Sequence, residues 1–352
     1  MKELKIILAF DVSKSELDYV YYDKNTGLYT KEGKINNDVK SIQQFLSKQD
    51  KTKVYIVFEP TGTYSDKLLC ICEELGFVFS LINPTSSHYY SQMKGISTKT
   101  DAQAARTLAE MGATQNLRIY KPSSKGNRRR KSLMKHLCSL EKDQQKLLNR
   151  IHAEEQKKNP DKELLSSNNR LLISIREEID IISKAIKSIK EKEYESKKKK
   201  GMTVVGIGDK TAGWLLTMSD GMDNFESGRS LKKYFGLAPC THTSGSSVRK
   251  NTGINKSGKG KVRGLLYMAA ISAKRYNNTC RDLYERLRAK GKCHYKAMVA
   301  VMGKLVMQFY AVVTSDVDFD NEYHLKRAER KAAADVERRS ERADQTKVEL
   351  AA

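Results

Sequence analysis

Lys5-Ile6-Ile7-Leu8-Ala9-Phe10-Asp11 and Val54-Tyr55-Ile56-Val57-Phe58-Glu59 are two short apolar runs, each closed by a carboxylate. From Val54 to Phe58 every position is apolar or aromatic, the pattern of a strand covered on both faces. Around these runs, Leu17–Tyr22 reads as a second strand and Thr30–Ile35 as a third. Val39–Ser47 places Ile42, Phe45 and Leu46 on one helical face. Ser65–Leu75 is helical, Phe77–Ile82 is another strand, and Asp101–Met111 is another helix. Three consecutive strands predict an antiparallel meander, and the alternation that follows predicts parallel neighbours.

The first 120 residues are therefore α/β, with an element order that resembles an RNase H-like (RuvC-like) fold. The next stretch, 121–200, is charge-rich. Leu133, Leu137, Leu140, Gln144, Leu147 and Ile151 follow one heptad seam; Leu172, Ile175, Ile179, Ile182, Ile186 and Ile189 follow another. Asn159-Pro160 separates them, which predicts a coiled-coil linker: an antiparallel helical hairpin or a dimerising pair. Residues 201–325 are Gly-rich and basic, with helices expected near Lys210–Ser219, Ser230–Tyr234, Lys261–Tyr276 and His294–Val313. The charged tail 326–352 lacks apolar periodicity and is expected to be disordered. The fold class is α/β followed by a mainly helical domain.

Composition narrows the function. The chain has 352 residues, 65 Lys plus Arg against 42 Asp plus Glu, and a formal net charge of +23. Such a balance suits a polyanionic partner, because a Lys/Arg surface releases counterions from a phosphate backbone. No run of about 18 apolar residues argues for a membrane span, and Ile6–Phe10 is too short for the core of a signal peptide. The six cysteines show no zinc-site spacing, so reduced thiols in a cytoplasmic protein are expected.

Three constellations carry chemistry. Asp11 and Glu59 close adjacent strands and Asp101 opens a helix, so three carboxylates can gather at one sheet edge. They would repel one another without a cation between them, and hard oxygen donors suit Mg²⁺ or Mn²⁺. Val204-Val205-Gly206-Ile207-Gly208-Asp209-Lys210 resembles a helix–hairpin–helix element, in which Gly206 and Gly208 let the backbone approach phosphate and Lys210 is a cation for it. The third runs from Gly236 to Arg263. A hydroxyl-rich loop with Ser244, Ser246 and Ser247 leads into a basic glycine-rich loop. There Arg249, Lys250, Lys256, Lys259, Lys261 and Arg263 can straddle a phosphate backbone, and one serine can attack phosphorus. Spacing does not choose among the three serines.

These residues resemble the insertion-sequence-110 transposases, also called DEDD transposases. The resemblance is carried by Phe10-Asp11-Val12-Ser13-Lys14, Phe58-Glu59-Pro60-Thr61-Gly62, Asn83-Pro84 and Lys99-Thr100-Asp101. Farther along it is carried by Gly206-Ile207-Gly208, Phe235-Gly236-Leu237-Ala238-Pro239, Thr243-Ser244-Gly245 and Gly253-Ile254-Asn255-Lys256. It implies that Asp11, Glu59 and Asp101 bind a divalent metal and that Ser244 is the nucleophile. It also implies a noncoding guide RNA that pairs with donor and target DNA. The protein would act as a homo-oligomer, with the acidic domain of one subunit meeting the serine domain of another. The family pattern Asp-x-x-Asp-Ala is broken here, where Asp101-Ala102-Gln103-Ala104-Ala105 puts an alanine at the fourth acid. Two rival readings follow: a metal-dependent junction nuclease that uses the acids alone, and a nucleic-acid-binding relic inactivated at Ala104.

Overall fold

The computed structural model describes residues 4–96, 100–244, 248–254, 258–315, 317–323 and 326, with 240–252 described by their backbone alone. It divides into two compact units, Met1–Pro122 and Ser123–Ala352.

In the first unit the strands are β1 (Ile6–Val12), β2 (Glu16–Asp23) and β3 (Tyr29–Asn36). Then come α1 (Val39–Ser47), β4 (Val54–Phe58), α2 (Asp66–Leu75), β5 (Val78–Leu81), α3 (Pro84–Met93) and α4 (Asp101–Thr114). The sheet order is β3-β2-β1-β4-β5. The first three strands are antiparallel to one another, whereas β1–β4 and β4–β5 are parallel. The mixed sheet expected from the element order is thus present.

Strand alternation divides the side chains between two layers. Leu8, Phe10, Ile56 and Phe58 pack with Ile42, Leu46, Leu68 and Ile71 of α1 and α2. Ile7, Ala9, Tyr55 and Val57 pack on the other side with Tyr90, Leu108, Ala109 and Met111 of α3 and α4. Continuing the period of two puts Asp11 and Glu59 on the α3/α4 side. The α3 start follows from its sequence: Asn83 accepts from the Thr85 N–H, and Pro84 occupies the first turn without wasting a donor.

The second unit opens with α5 (Lys125–Glu155) and α6 (Lys162–Ser188). Leu147 and Ile151 pack on Leu172, with Leu165 and Ile175 beside them, so the seams form a hairpin within one chain. Asp161, just after Pro160, caps α6 through the Glu163 and Leu164 N–H groups. Next come α7 (Lys192–Gly201), α8 (Asp209–Met218), α9 (Gly228–Tyr234), β6 (Pro239–Ser244) and β7 (Val248–Ile254). The chain continues with α10 (Gly260–Tyr276), α11 (Asn278–Ala289) and α12 (His294–Ser315). The core gathers Trp214, Leu215, Phe235, Leu266, Met298, Leu305 and Phe309. The 22-residue α12 is long and apolar enough to cross a membrane by composition, but its Val301, Leu305, Val306 and Phe309 belong to this core.

Several features go beyond the sequence pattern or differ from it. The basic run Lys197–Lys200 lies in the separate helix α7, because α6 stops at Ser188. The hydroxyl-rich segment is an antiparallel ribbon rather than a pair of loops. Its alternating Thr241, Thr243, Val248 and Ile254 supply the β-branched positions that a strand favours over a turn. Helices α3 and α11 are not among the elements the sequence pattern predicts. The charged tail lies outside the described residues but for Lys326.

Arg130, only 1% exposed, ties the start of α5 to the α6–α7 junction. Its guanidinium donates to Glu191 Oε2 and to the Ile189 carbonyl, both at 3.0 Å, and lies 3.5 Å from the centre of the Tyr194 ring. Arg130→Ala should destabilise this unit by about 2–3 kcal/mol, since it leaves the Ile189 carbonyl without its donor and empties the space over Tyr194, while Glu191 keeps the Ser124 hydroxyl. Urea unfolding monitored at Trp214 measures it.

Candidate active site

The acid site is assembled from three elements of the first unit. Asp11 is the penultimate residue of β1, and Glu59 follows β4 directly. The parallel register pairs Phe10 with Phe58, so both acids stand at the carboxyl ends of neighbouring strands. Asp101 opens α4, whose preceding Thr100 accepts from the Gln103 N–H. Glu59 is held by α3, since the Ser87 hydroxyl donates to Glu59 Oε2 at 2.7 Å.

The charges of Asp101 and Glu59 act on Asp11. Burial first, then the charges of Asp101, Glu59 and Asp18, push Asp11 up to about 6, against a smaller lowering by the Val12 N–H. Asp18 is an acid that the sequence reading missed. The β1–β2 hairpin pairs Val12 with Leu17 and so sets Asp18 opposite Asp11. Asp18 is 6% exposed, and burial raises its carboxyl even though Lys34 Nζ lies 3.6 Å away. The signal in the sequence was the short spacing between the first two strands, which fixes the cross-strand partner once a tight turn is assumed.

Carboxylates whose charges act on a buried acid in this way fit a hard divalent cation by donor chemistry. Among the described residues, no group of three His, Cys, Asp or Glu side chains is closed around a single point. Ala104 sits one helical turn beyond Asp101, the i, i+3 neighbour on the same face of α4. A methyl therefore stands at the position where the resemblance expects a fourth acid.

In the second unit, Ser244 ends β6 and its backbone pairs with Val248 of β7. Arg249 and Lys250 pair with Thr243 and His242 on the same ribbon. Ser246, Ser247 and Lys256 lie outside the described residues. Lys259 precedes α10 as its N-cap, and Arg263 donates to the Phe235 carbonyl at 3.4 Å. Lys210 and Lys261 are engaged with one carboxylate: Glu141 of α5 receives Lys210 Nζ on Oε1 and Lys261 Nζ on Oε2, each at 2.6 Å.

The two glycines of the Gly-x-Gly turn do different work. Gly206 has φ +102° and faces α10, where an added Cβ would lie 2.7 Å from Ala273 Cβ and 3.0 Å from the Ala269 carbonyl. Gly208 is exposed at the N-cap of α8, with nothing within 4 Å of such a Cβ. Gly206→Ala should cost roughly 3 kcal/mol through strain and overpacking, while Gly208→Ala leaves the melting curve nearly unchanged. Thermal denaturation of the two variants decides it.

Two family profiles match this chain. A transposase profile of the DEDD IS110 type covers residues 8–154, and one described as Transposase IS116/IS110/IS902 family covers 200–285. The chain is 29% identical to a pilin gene-inverting protein of Moraxella lacunata over 330 residues, 91% of this chain and 99% of that protein. It is 31% identical to the pilin gene-inverting protein of Moraxella bovis over 278 residues, 77% of this chain and 83% of the other. An uncharacterised 43.6 kDa protein of insertion element IS110 from Streptomyces coelicolor is 27% identical over 117 residues, 33% of this chain and 28% of that one. With both profiles and a full-length likeness in agreement, this chain belongs to the IS110 family of transposases.

Proposed function

We propose that this protein cuts and rejoins DNA at the ends of a mobile or invertible segment, using Ser244 as nucleophile and an RNase H-like acid site. The observation that carries the reading is the gathering of Asp11, Glu59 and Asp101 from β1, β4 and α4, close enough for two of the acids to raise the third. Asp11, Glu59 and Asp101 would hold Mg²⁺ or Mn²⁺, with Ser87 orienting the Glu59 carboxylate. Such a cation supplies charge stabilisation at the phosphorus under attack.

The Ser244 hydroxyl oxygen forms a bond to phosphorus as a sugar oxygen leaves; the serine proton is given up and the leaving oxygen takes one. The phosphoserine ester keeps the energy of the broken bond, so a second sugar hydroxyl can reverse the step on another strand without ATP. The acids of one subunit serve the serine of another in a homo-oligomer, and a noncoding RNA from the element's own flank selects donor and target. That last part accounts for a basic chain in which no zinc-finger spacing is found. The Moraxella relatives, named for inverting a pilin gene, support a DNA segment as substrate.

The test is strand exchange on DNA bearing the element's ends, with its flanking RNA and Mg²⁺. Recombinant product that disappears with EDTA or with a scrambled RNA is expected. Product that persists without the RNA rejects the guide.

Ala104 favours a second reading, a protein that binds nucleic acid but recombines poorly. Ala104→Asp should tighten Mn²⁺ binding in calorimetry and raise the yield of recombinant. Tighter metal binding with no gain in product favours the binding protein.

A further inference from the structure

Glu141 is the first acid in α5, after a stretch from Lys125 to Leu140 that holds six Lys and Arg and no Asp or Glu. Its carboxylate accepts one ammonium on each oxygen, Lys210 on Oε1 and Lys261 on Oε2. Hydrogen bonds from these two lysines hold it below the ordinary glutamate value despite burial. The lysines remain substantially exposed, 55% and 34% by side chain, so the pairs add little to stability. A phosphodiester offers the same pattern, with two non-bridging oxygens that can each take a separate cation. Lys131 and Lys135 of α5 crowd Lys259 at the start of α10; burial and their charges together lower the Lys259 ammonium. Lys131 is itself paired with Asp220 at 3.4 Å, but Lys135 is exposed, and Lys259 stands two residues before Lys261, which holds Glu141, so cations continue past the doubly bridged carboxylate along α5 and α10.

We propose that Glu141 keeps the place of a backbone phosphate, and that a nucleic-acid strand crossing α5, α8 and α10 displaces it from Lys210 and Lys261, with Lys135 and Lys259 serving a neighbouring phosphate. This assigns the basic start of α5 to nucleic-acid binding, beyond its part in the helical hairpin, and it rests on the reading of this chain as a nucleic-acid recombinase. The ligand chemistry is a phosphodiester backbone, which DNA or RNA can provide.

The experiment is fluorescence anisotropy of the full chain with two fluorescein-labelled probes of arbitrary sequence, a 30-base-pair DNA duplex and a 30-nucleotide RNA hairpin, titrated between 50 and 200 mM salt. Losing two phosphate contacts should flatten the slope of log K against log salt by about 1.8 on duplex DNA. The Lys210→Ala/Lys261→Ala variant should therefore lose roughly tenfold less affinity over that salt range than the wild type does. Glu141→Gln should bind severalfold tighter at every salt concentration with an unchanged slope, because the same phosphates are neutralised without a competitor. An effect on the duplex alone assigns the path to DNA, and on the hairpin alone to RNA. Should the double variant fail to fold, Lys135→Ala reads the same path at an exposed position, with a slope change of about 0.9. Unchanged slopes in the lysine variants, or weaker binding by Glu141→Gln, overturn the inference while leaving the recombinase reading intact. A wild type that binds neither probe overturns both.

Discussion

Replacing Ser244 with alanine is expected to abolish the covalent protein–DNA adduct and all recombinant product while leaving DNA affinity within about twofold. Loss of a nucleophile removes the interaction on which every later step depends, so a fall on the order of 10³-fold or more is the proper scale. The informative controls are Ser246→Ala and Ser247→Ala, since residue spacing does not distinguish the three. The resemblance singles out Ser244, the last residue of β6, whose backbone is pinned by pairing with Val248. Adduct formed by a Ser244→Ala chain would move the nucleophile elsewhere; normal hydrolysis of branched DNA by that chain would favour the junction nuclease, which needs only the acids.

Asp11→Asn should have two opposite effects. Metal-dependent strand cleavage is lost with the central carboxylate. The metal-free fold, in contrast, gains stability at neutral and alkaline pH. Burial and neighbouring acids raise Asp11 from 3.8 to about 6, so the folded chain holds this proton more tightly than the unfolded one. Stability from this group is therefore fully present below about pH 4 and is lost as pH rises through about 6. Full conversion of the shift gives about 3 kcal/mol, and solvent screening at a half-buried site reduces it to about 1–2 kcal/mol. Urea titrations in EDTA should show Asp11→Asn more stable than the wild type at pH 8 and no more stable at pH 4. Adding Mg²⁺ at pH 8 should stabilise the wild type and not the variant. A variant less stable than wild type at pH 8 without metal would show that burial and the neighbouring charges do not penalise the Asp11 carboxylate.

The parts of this protein that were legible in its sequence are those set by local periodicity. Val54–Phe58 declared a doubly covered strand, and the heptad seams on either side of Pro160 declared two long helices. Asp11 and Glu59 were legible because an acid at the end of an apolar strand is conspicuous. Asp18 was not, because its approach to Asp11 depends on hairpin register rather than on its own neighbours. The ribbon of β6 and β7 was hidden by Ser and Gly residues that read as turns, while its Thr and Val positions settled the backbone. Lys210 and Lys261 were both marked as cations for phosphate, but their common partner Glu141 lies 69 and 120 residues away in the chain, which no spacing rule reaches.

The division of labour along β1 and β4 has a further consequence. Phe10 and Phe58 anchor one layer, and the acids that follow them, Asp11 and Glu59, face the opposite one. Shape and chemistry are thus written in alternate letters of the same words. On the proposed mechanism, a change in the second script, such as Ala104 on the nearby helix, leaves the first fully readable, so activity in a lineage of such genes can fall silent long before its proteins cease to fold.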